Sequence, residues 1–141
     1  MSTPTSFRVG QLEIRFHVDP ATTAGAVAVF ESIIPAGAHV PVPHRHVGYD
    51  ETIYGLAGVC HFTLEGTEVP LAAGASLFVP RGQFHGFVNR GTETARVLVV
   101  VTPGRLGPDY FREVAGIVNA GGPPDRAKIA ALMERHGMAA A

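Results

Sequence analysis

The chain opens its readable pattern at residues 11–18, where Leu12, Ile14, Phe16 and Val18 alternate with Glu13, Arg15 and His17. A period of two with one apolar face predicts a half-buried strand. Residues 26–34 are mostly apolar and predict a strand covered on both faces. Pro35, Pro41 and Pro43 then keep the chain out of any central strand until His44, because proline cannot donate to a ladder. Short apolar runs follow at 51–56, 59–65, 68–71, 75–80, 85–89 and 95–102, with a tight hairpin at Gly66-Thr67. Many short strands divided by turn residues predict a β-sandwich or barrel.

After Pro103-Gly104 the period changes. Phe111, Val114, Ala115 and Val118 form a helical stripe behind Pro108-Asp109, and Gly121-Gly122 ends it. A second helix is expected from about 124 to 136, with Ile129, Leu132 and Met133 on one side and Gly137 as C-cap. Both helices are too short to fold alone. They are expected to pack on the outside of the β-domain or on a second subunit. The layout is thus a polar tail at 1–6, an all-β domain at 7–104 and a helical extension at 105–137, with 138–141 expected to be disordered.

Bulk properties narrow the function. A length of 141 residues suits one domain with a sizeable core. A net charge of −1 gives no electrostatic case for nucleic acid or an anionic membrane. The lone Cys60 excludes an internal disulfide. The N-terminus lacks the charged and apolar regions of a signal peptide, and the longest aliphatic run, 97–101, is far short of the ~20 residues of a membrane span. A bacterial-type cytoplasmic protein is expected.

The chemistry concentrates in His44-Arg45-His46-Val47-Gly48-Tyr49-Asp50-Glu51. Histidines two apart on a strand share a face, so His44 and His46 can grip one metal ion. Glu51 has the wrong parity unless the chain bends, and Gly48 permits a bend. Asp50 keeps the parity and competes as the carboxylate ligand. His85 is the candidate from elsewhere in the chain. It follows Pro80-Arg81-Gly82, with proline at the second and glycine at the fourth turn position, and apolar runs lie on both sides.

Other residues read more plainly. Cys60 and His61 are adjacent on a strand, so they face opposite ways and cannot form a nucleophile pair. Cys60 reads as an inert buried thiol, His39 as a solvated loop residue, and His17 and His136 as surface residues. Arg81 is expected to be exposed, and Asn89 to pin a backbone turn. There is no phosphate-binding glycine loop and no serine-nucleophile motif.

Gly37, His44, His46, Glu51 and Gly58 resemble the first motif of the cupin superfamily. Gly74, Pro80, Gly82, His85 and Asn89 resemble the second, at every spacing. Gly37 lies one residue further upstream than the first motif has it. Ala75 stands where many relatives carry an acid. The tail also resembles that of small bacterial cupins.

The resemblance implies a double-stranded β-helix, or jelly roll, with one or two C-terminal helices. It also implies one divalent transition metal per chain, held by His44, His46, Glu51 and His85. Imidazole suits Fe, Mn, Ni, Cu and Zn alike. Phe62, Phe78, Phe84 and Phe87, with Tyr49 at the strand start, are the available walls of a small-molecule pocket.

Three functions follow from this reading. Similarity to quercetinase-like cupins implies a dioxygenase-like oxidoreductase acting on a chelated aromatic or enol/diketone substrate, with Glu51 available as base. A redox-neutral isomerase, lyase or cyclase is the second, and a small-molecule binding or sensing protein the third. Sheet edges and apolar helices make a homodimer the expected assembly.

Overall fold

The computed structural model describes residues 5–141. Eleven strands and two helices run in the order β1 (Thr5–Val9), β2 (Leu12–Val18), β3 (Ala28–Ile34), β4 (His44–His46), β5 (Asp50–Ala57), β6 (Val59–Leu64), β7 (Thr67–Ala72), β8 (Ser76–Val79), β9 (His85–Val88), β10 (Ala95–Thr102), α1 (Pro108–Val118), α2 (Arg126–Arg135) and β11 (Met138–Ala140). Six strands form one antiparallel sheet in the order β1-β2-β3-β10-β5-β8. The other five form a second, β11-β4-β9-β6-β7. The two inner faces carry the core, as in a jelly roll.

Alternation sets which side chains face inward. On β3, β10 and β5 the inward rows are Ala28/Val101/Glu51, Phe30/Val99/Ile53 and Ser32/Val97/Gly55, in register across the sheet. Gly55 has no alternative here, since a Cβ would lie 2.1 Å from the Ala72 carbonyl oxygen. α1 brings Tyr110, Phe111 and Val114 to the core, where Phe111 lies 5.6 Å from Phe16 and 5.1 Å from Phe30 between ring centroids. The helix end is tied to the β1-β2 turn, where the Asn119 side chain accepts from the Gly10 amide at 2.8 Å and donates to the Arg8 carbonyl at 2.7 Å.

Both chain ends differ from the sequence-based expectation. The polar tail expected at 1–6 includes residues 1–4, which lie outside the described residues. Thr5 and Ser6 belong to β1, paired with Phe16 and Arg15. The strand is polar and largely exposed at this end, so it carries no apolar signal. Residues 138–140 are not disordered either. They form β11, which pairs antiparallel with β4, Met138 opposite His46 and Ala140 opposite His44. Met-Ala-Ala has no β-branched residue, and only the waiting edge of β4 makes it a strand.

The turn before His85 is shifted by one residue. Gln83 donates to the Pro80 carbonyl, which puts Pro80 first and Gly82 third, and Gly82 has a φ of 85°. Positive φ at the third position is what glycine supplies.

A candidate metal centre at one end of an apolar slot

The bend at Val47-Gly48 carries the chain from the five-stranded sheet to the six-stranded one. His44 and His46 therefore face inward from one sheet, and Glu51 faces inward from the other. This change of sheet resolves the parity conflict. The Gly82 amide donates to the His46 carbonyl at 2.7 Å, so the turn before His85 is fastened to the His44–His46 strand. His44 and His85 are themselves cross-strand partners.

The structure gathers His44, His46 and His85 so that one nitrogen of each lies within 4.8 Å of the others. Glu51 Oε2 stands 3.1 Å from His85 Nε2. Asp50 points elsewhere. It accepts from the Arg81 amide at 2.9 Å and from the Arg81 guanidinium at 3.2 Å. That pairing lowers the Asp50 pKa through the Arg81 side chain first and its amide second. Glu51, not Asp50, is thus the carboxylate beside the histidines, and Arg81 serves the turn.

The protonation pattern suits a cation. His44 Nδ1 donates to the Val42 carbonyl at 2.8 Å, and His85 Nδ1 to the Gln83 carbonyl at 3.0 Å. A carbonyl only accepts, so each ring keeps a proton on Nδ1; His44 turns its Nε2 lone pair inward, and His85 Nε2, which donates to the Glu51 carboxylate without an ion, would give up that proton to bind one. Burial is the main cause that lowers His44 to about 3 and His46 to about 4. Burial also opposes charge on Glu51, but His46, His85 and His44 outweigh it and hold the carboxylate at about 2. Burial likewise opposes charge on His85, and there the Glu51 hydrogen bond wins and raises the pKa.

His46 provides the sharpest test of fit. It is 2% exposed, and neither ring nitrogen has a hydrogen-bond partner. A buried polar atom left unpaired costs about 1–3 kcal/mol. A divalent ion shared by neutral imidazoles and one carboxylate would satisfy it, and this donor set fits one.

Tyr49 backs His46 instead of lining the pocket. Its ring stacks on the His46 ring at 4.5 Å, and its hydroxyl donates to the His136 carbonyl at 3.3 Å. Phe62 and Phe87 line the slot between the sheets. Phe78 does not. It is 54% exposed on the outer face of β8, because it has the opposite parity to the buried Val79. Phe84 lines an outer groove with His39 and Arg126, and Arg45 lies 5.2 Å above its ring. Cys60 is fully buried and its thiol is pushed up to about 12 by that burial. Asn89 donates to the Ile34 and Glu93 carbonyls and accepts from the Gly91 amide, a purely backbone role.

The rest of the slot was hidden from sequence reasoning. Val9, Leu12 and Ile14 close one end, Phe30 and Ser32 form the floor, and the tail supplies Leu106, Tyr110, Phe111, Val114 and Met138. No lysine or arginine lines it. The apolar stripe of α1 was legible, but nothing in that stripe says that it roofs a cavity.

The Cupin domain family model matches residues 30–101. Tetracenomycin polyketide synthase protein TcmJ of Streptomyces glaucescens is 38% identical over 60 residues, 43% of this chain and 40% of TcmJ. The chain therefore matches less than half of that relative. Protein SchB of Streptomyces halstedii is 31% identical over 99 residues, 69% of this chain and 70% of SchB. Among solved structures, a predicted oxalate decarboxylase from Thermotoga maritima superposes with a TM-score of 0.64 at 27% identity, covering 72% of this chain and 92% of the other. KdgF from a Halomonas species shares the fold, with a TM-score of 0.63 at 19% identity over 73% of this chain and 94% of its own.

Proposed function

This chain belongs to the cupin family, and from that premise we propose that it is a metal-dependent, dioxygenase-like oxidoreductase acting on a small aromatic or enol/diketone substrate. The observation that carries the substrate class is the lining of the slot. Apart from the histidines and Glu51, its only polar side chains are Ser32 and Tyr110. Away from the histidine end, a phosphate or a free carboxylate would be stripped of water with no lysine or arginine to receive it. A flat apolar molecule with two neighbouring oxygens meets no such penalty.

His44, His46, Glu51 and His85 would hold the ion, one per chain. When bound, it would supply Lewis-acid polarisation and, if redox-active, access to oxygen chemistry. The chain's own residues do the rest. Phe62, Phe87 and Phe111 exclude water and keep aromatic faces parallel to the slot. Glu51 is held ionised beside the reacting end, so its carboxylate can take the acidic proton of an enol or a β-diketone. Tyr110, kept protonated by burial, can donate to a substrate oxygen.

The test is anaerobic loading with Fe(II) or Mn(II), followed by oxygen uptake over catechols, flavonols and diketones. Uptake with at least one of them is expected. No uptake from a fully loaded site refutes the oxidative reading.

A redox-neutral cyclase, isomerase or lyase is the second reading. The ionised Glu51 and the similarity to a polyketide synthase protein favour it. Turnover of a polyketone by zinc-loaded protein without oxygen would select it.

A further inference from the structure

The three histidines are not oriented in the same way. His44 and His85 each fix their ring through an Nδ1 bond to a backbone carbonyl, that of Val42 and that of Gln83. His46 has no such bond on either nitrogen. The ring stacked on it is Tyr49, at 4.5 Å between centroids and with the two planes 23° apart. A flat contact of this kind sets the tilt of an imidazole that no hydrogen bond holds.

Tyr49 is in turn held by the C-terminal tail. Its hydroxyl donates to the His136 carbonyl at 3.3 Å, and a Cβ on Gly137 would come 3.4 Å from Tyr49 Cε1. The base of the tail is fixed. His136 Nε2 donates to the Glu113 carboxylate at 2.8 Å, and Ile129, Leu132 and Met133 of α2 are buried. Beyond that base, β11 runs beside the histidine strand. β4 meets β9 in register at His44–His85, and it meets β11 along its whole length. The Val47 amide donates to the Gly137 carbonyl at 2.8 Å and the Ala141 amide to the Pro43 carbonyl at 2.9 Å, so the ladder continues past both ends of β4.

We propose that Tyr49 is a positioning residue for His46, and that the tail from His136 to Ala141 holds Tyr49 and β4 in the geometry a metal ion needs. The inference rests on the metal-centre reading above and adds to it residues that never touch the ion. His46 must present one ring nitrogen toward those of His44 and His85, which lie within 4.8 Å of it. An imidazole free to rock about its side-chain bonds spends part of its time turned away. Groups that orient a ligand ring are typically worth about 10–100-fold in metal affinity. The coupling is reciprocal, so occupancy of the site also steadies the tail.

Full-length wild type, Tyr49→Phe, Tyr49→Leu and Ala139→Pro test this. Proline at 139 takes a donor from the middle of the β11 ladder, because bonded pairs alternate and those at 137 and 141 flank it. Zinc affinity is read by competition with a chromophoric chelator. The visible bands of the cobalt-saturated protein report ligand geometry, which a loss of fold stability alone does not move. Tyr49→Leu is expected to weaken zinc binding about 10–100-fold and to shift the cobalt bands. Tyr49→Phe keeps the ring and should stay within about threefold of wild type, the low end for one neutral hydrogen bond. Ala139→Pro should weaken zinc about three- to tenfold and shift the bands as well. In wild type, zinc should slow hydrogen exchange at residues 138–141.

A wild-type cobalt spectrum in either Tyr49→Leu or Ala139→Pro overturns the proposal, and so does a Tyr49→Phe as damaging as Tyr49→Leu or a tail whose exchange ignores zinc. Ala139→Pro keeps the test decisive should leucine at 49 not fold. A wild type that takes up no cobalt refutes the metal reading and this inference with it. A wild type that takes it up, beside a variant with an unchanged spectrum, refutes this inference alone.

Discussion

His46 offers a perturbation whose sign is unusual for a buried residue. In metal-free protein, His46→Leu should stabilise the fold. Both ring nitrogens of His46 are buried and unpaired, a cost of about 1–3 kcal/mol that leucine removes. Leucine forfeits the stack on Tyr49, worth about 0.5–1.5 kcal/mol, so mid-range values leave a net gain of about 1 kcal/mol. For 141 residues the unfolding entropy near the midpoint is about 0.3 kcal/mol/K, and the gain becomes a rise of about 3 °C.

The gain should also grow with acidity. The His46 pKa is lowered from 6.5 to about 4, chiefly by burial. Below pH 6.5 the unfolded chain binds a proton that the folded chain refuses until about pH 4. Wild type therefore loses stability through this window, about 2 kcal/mol by pH 5, and the leucine variant does not share that loss. Zinc should reverse the ranking. Binding at a hundred times Kd adds about 2.7 kcal/mol to wild type and little to the variant. Urea unfolding of EDTA-stripped proteins at pH 7.5 and pH 5, with and without zinc, reads all of this. A stripped variant less stable than wild type at both pH values, with no widening of the gap, refutes the account. His46 would then be a satisfied structural histidine.

Replacing His44 and His85 together by alanine should remove near-stoichiometric metal from purified protein, as read by elemental analysis; undiminished content would mean that the centre lies elsewhere. Asp50→Asn should keep full metal content while loosening the Pro80–Gln83 turn, whereas Glu51→Gln should weaken metal retention about tenfold or more. On the outer face of the six-stranded sheet, Glu31 is buried, and although burial itself opposes its charge, Arg96 at 2.8 Å and His17 at 3.2 Å hold its pKa below the usual value. Its contribution is present above pH ~4.5 and lost as pH falls through the lowered pKa, so Glu31→Gln should flatten the acid limb of the stability curve. Truncation after Gly137 should cost about 2–3 kcal/mol from Met138 burial and weaken metal binding by freeing the edge of β4, read as a lower urea midpoint and a raised zinc Kd.

The metal centre was legible because its chemistry is local and written in unusual residues. Two histidines two apart, a glycine bend, and a proline-glycine turn before a third histidine are each rare in a core, and together they dictate a place. The strands that bear them were legible for a related reason, since alternation records which face is buried. The choice between Asp50 and Glu51 was not, because parity counts only within one strand. The bend at Val47-Gly48 moves the chain to the other sheet and restarts the count. The same limit explains Phe78. Its run, Leu77-Phe78-Val79, is apolar throughout, and no periodicity says which of the three looks outward.

The far end of the slot was hidden for a deeper reason. Ser32 is unremarkable in an apolar strand, and Met138 sits in a tail with no strand propensity. Each becomes informative only when elements distant in sequence close around a shared space. His46 carries the decisive signature, a buried ring with nothing to pair. It is explained by an ion that three imidazoles and a carboxylate can share. Ser32 lies ~16 Å from Glu51, beside Ile14 and Val97, where the lining holds no charged group to share an ion. The cation's place is therefore at the histidine end, and the rest of the slot offers mainly apolar contact.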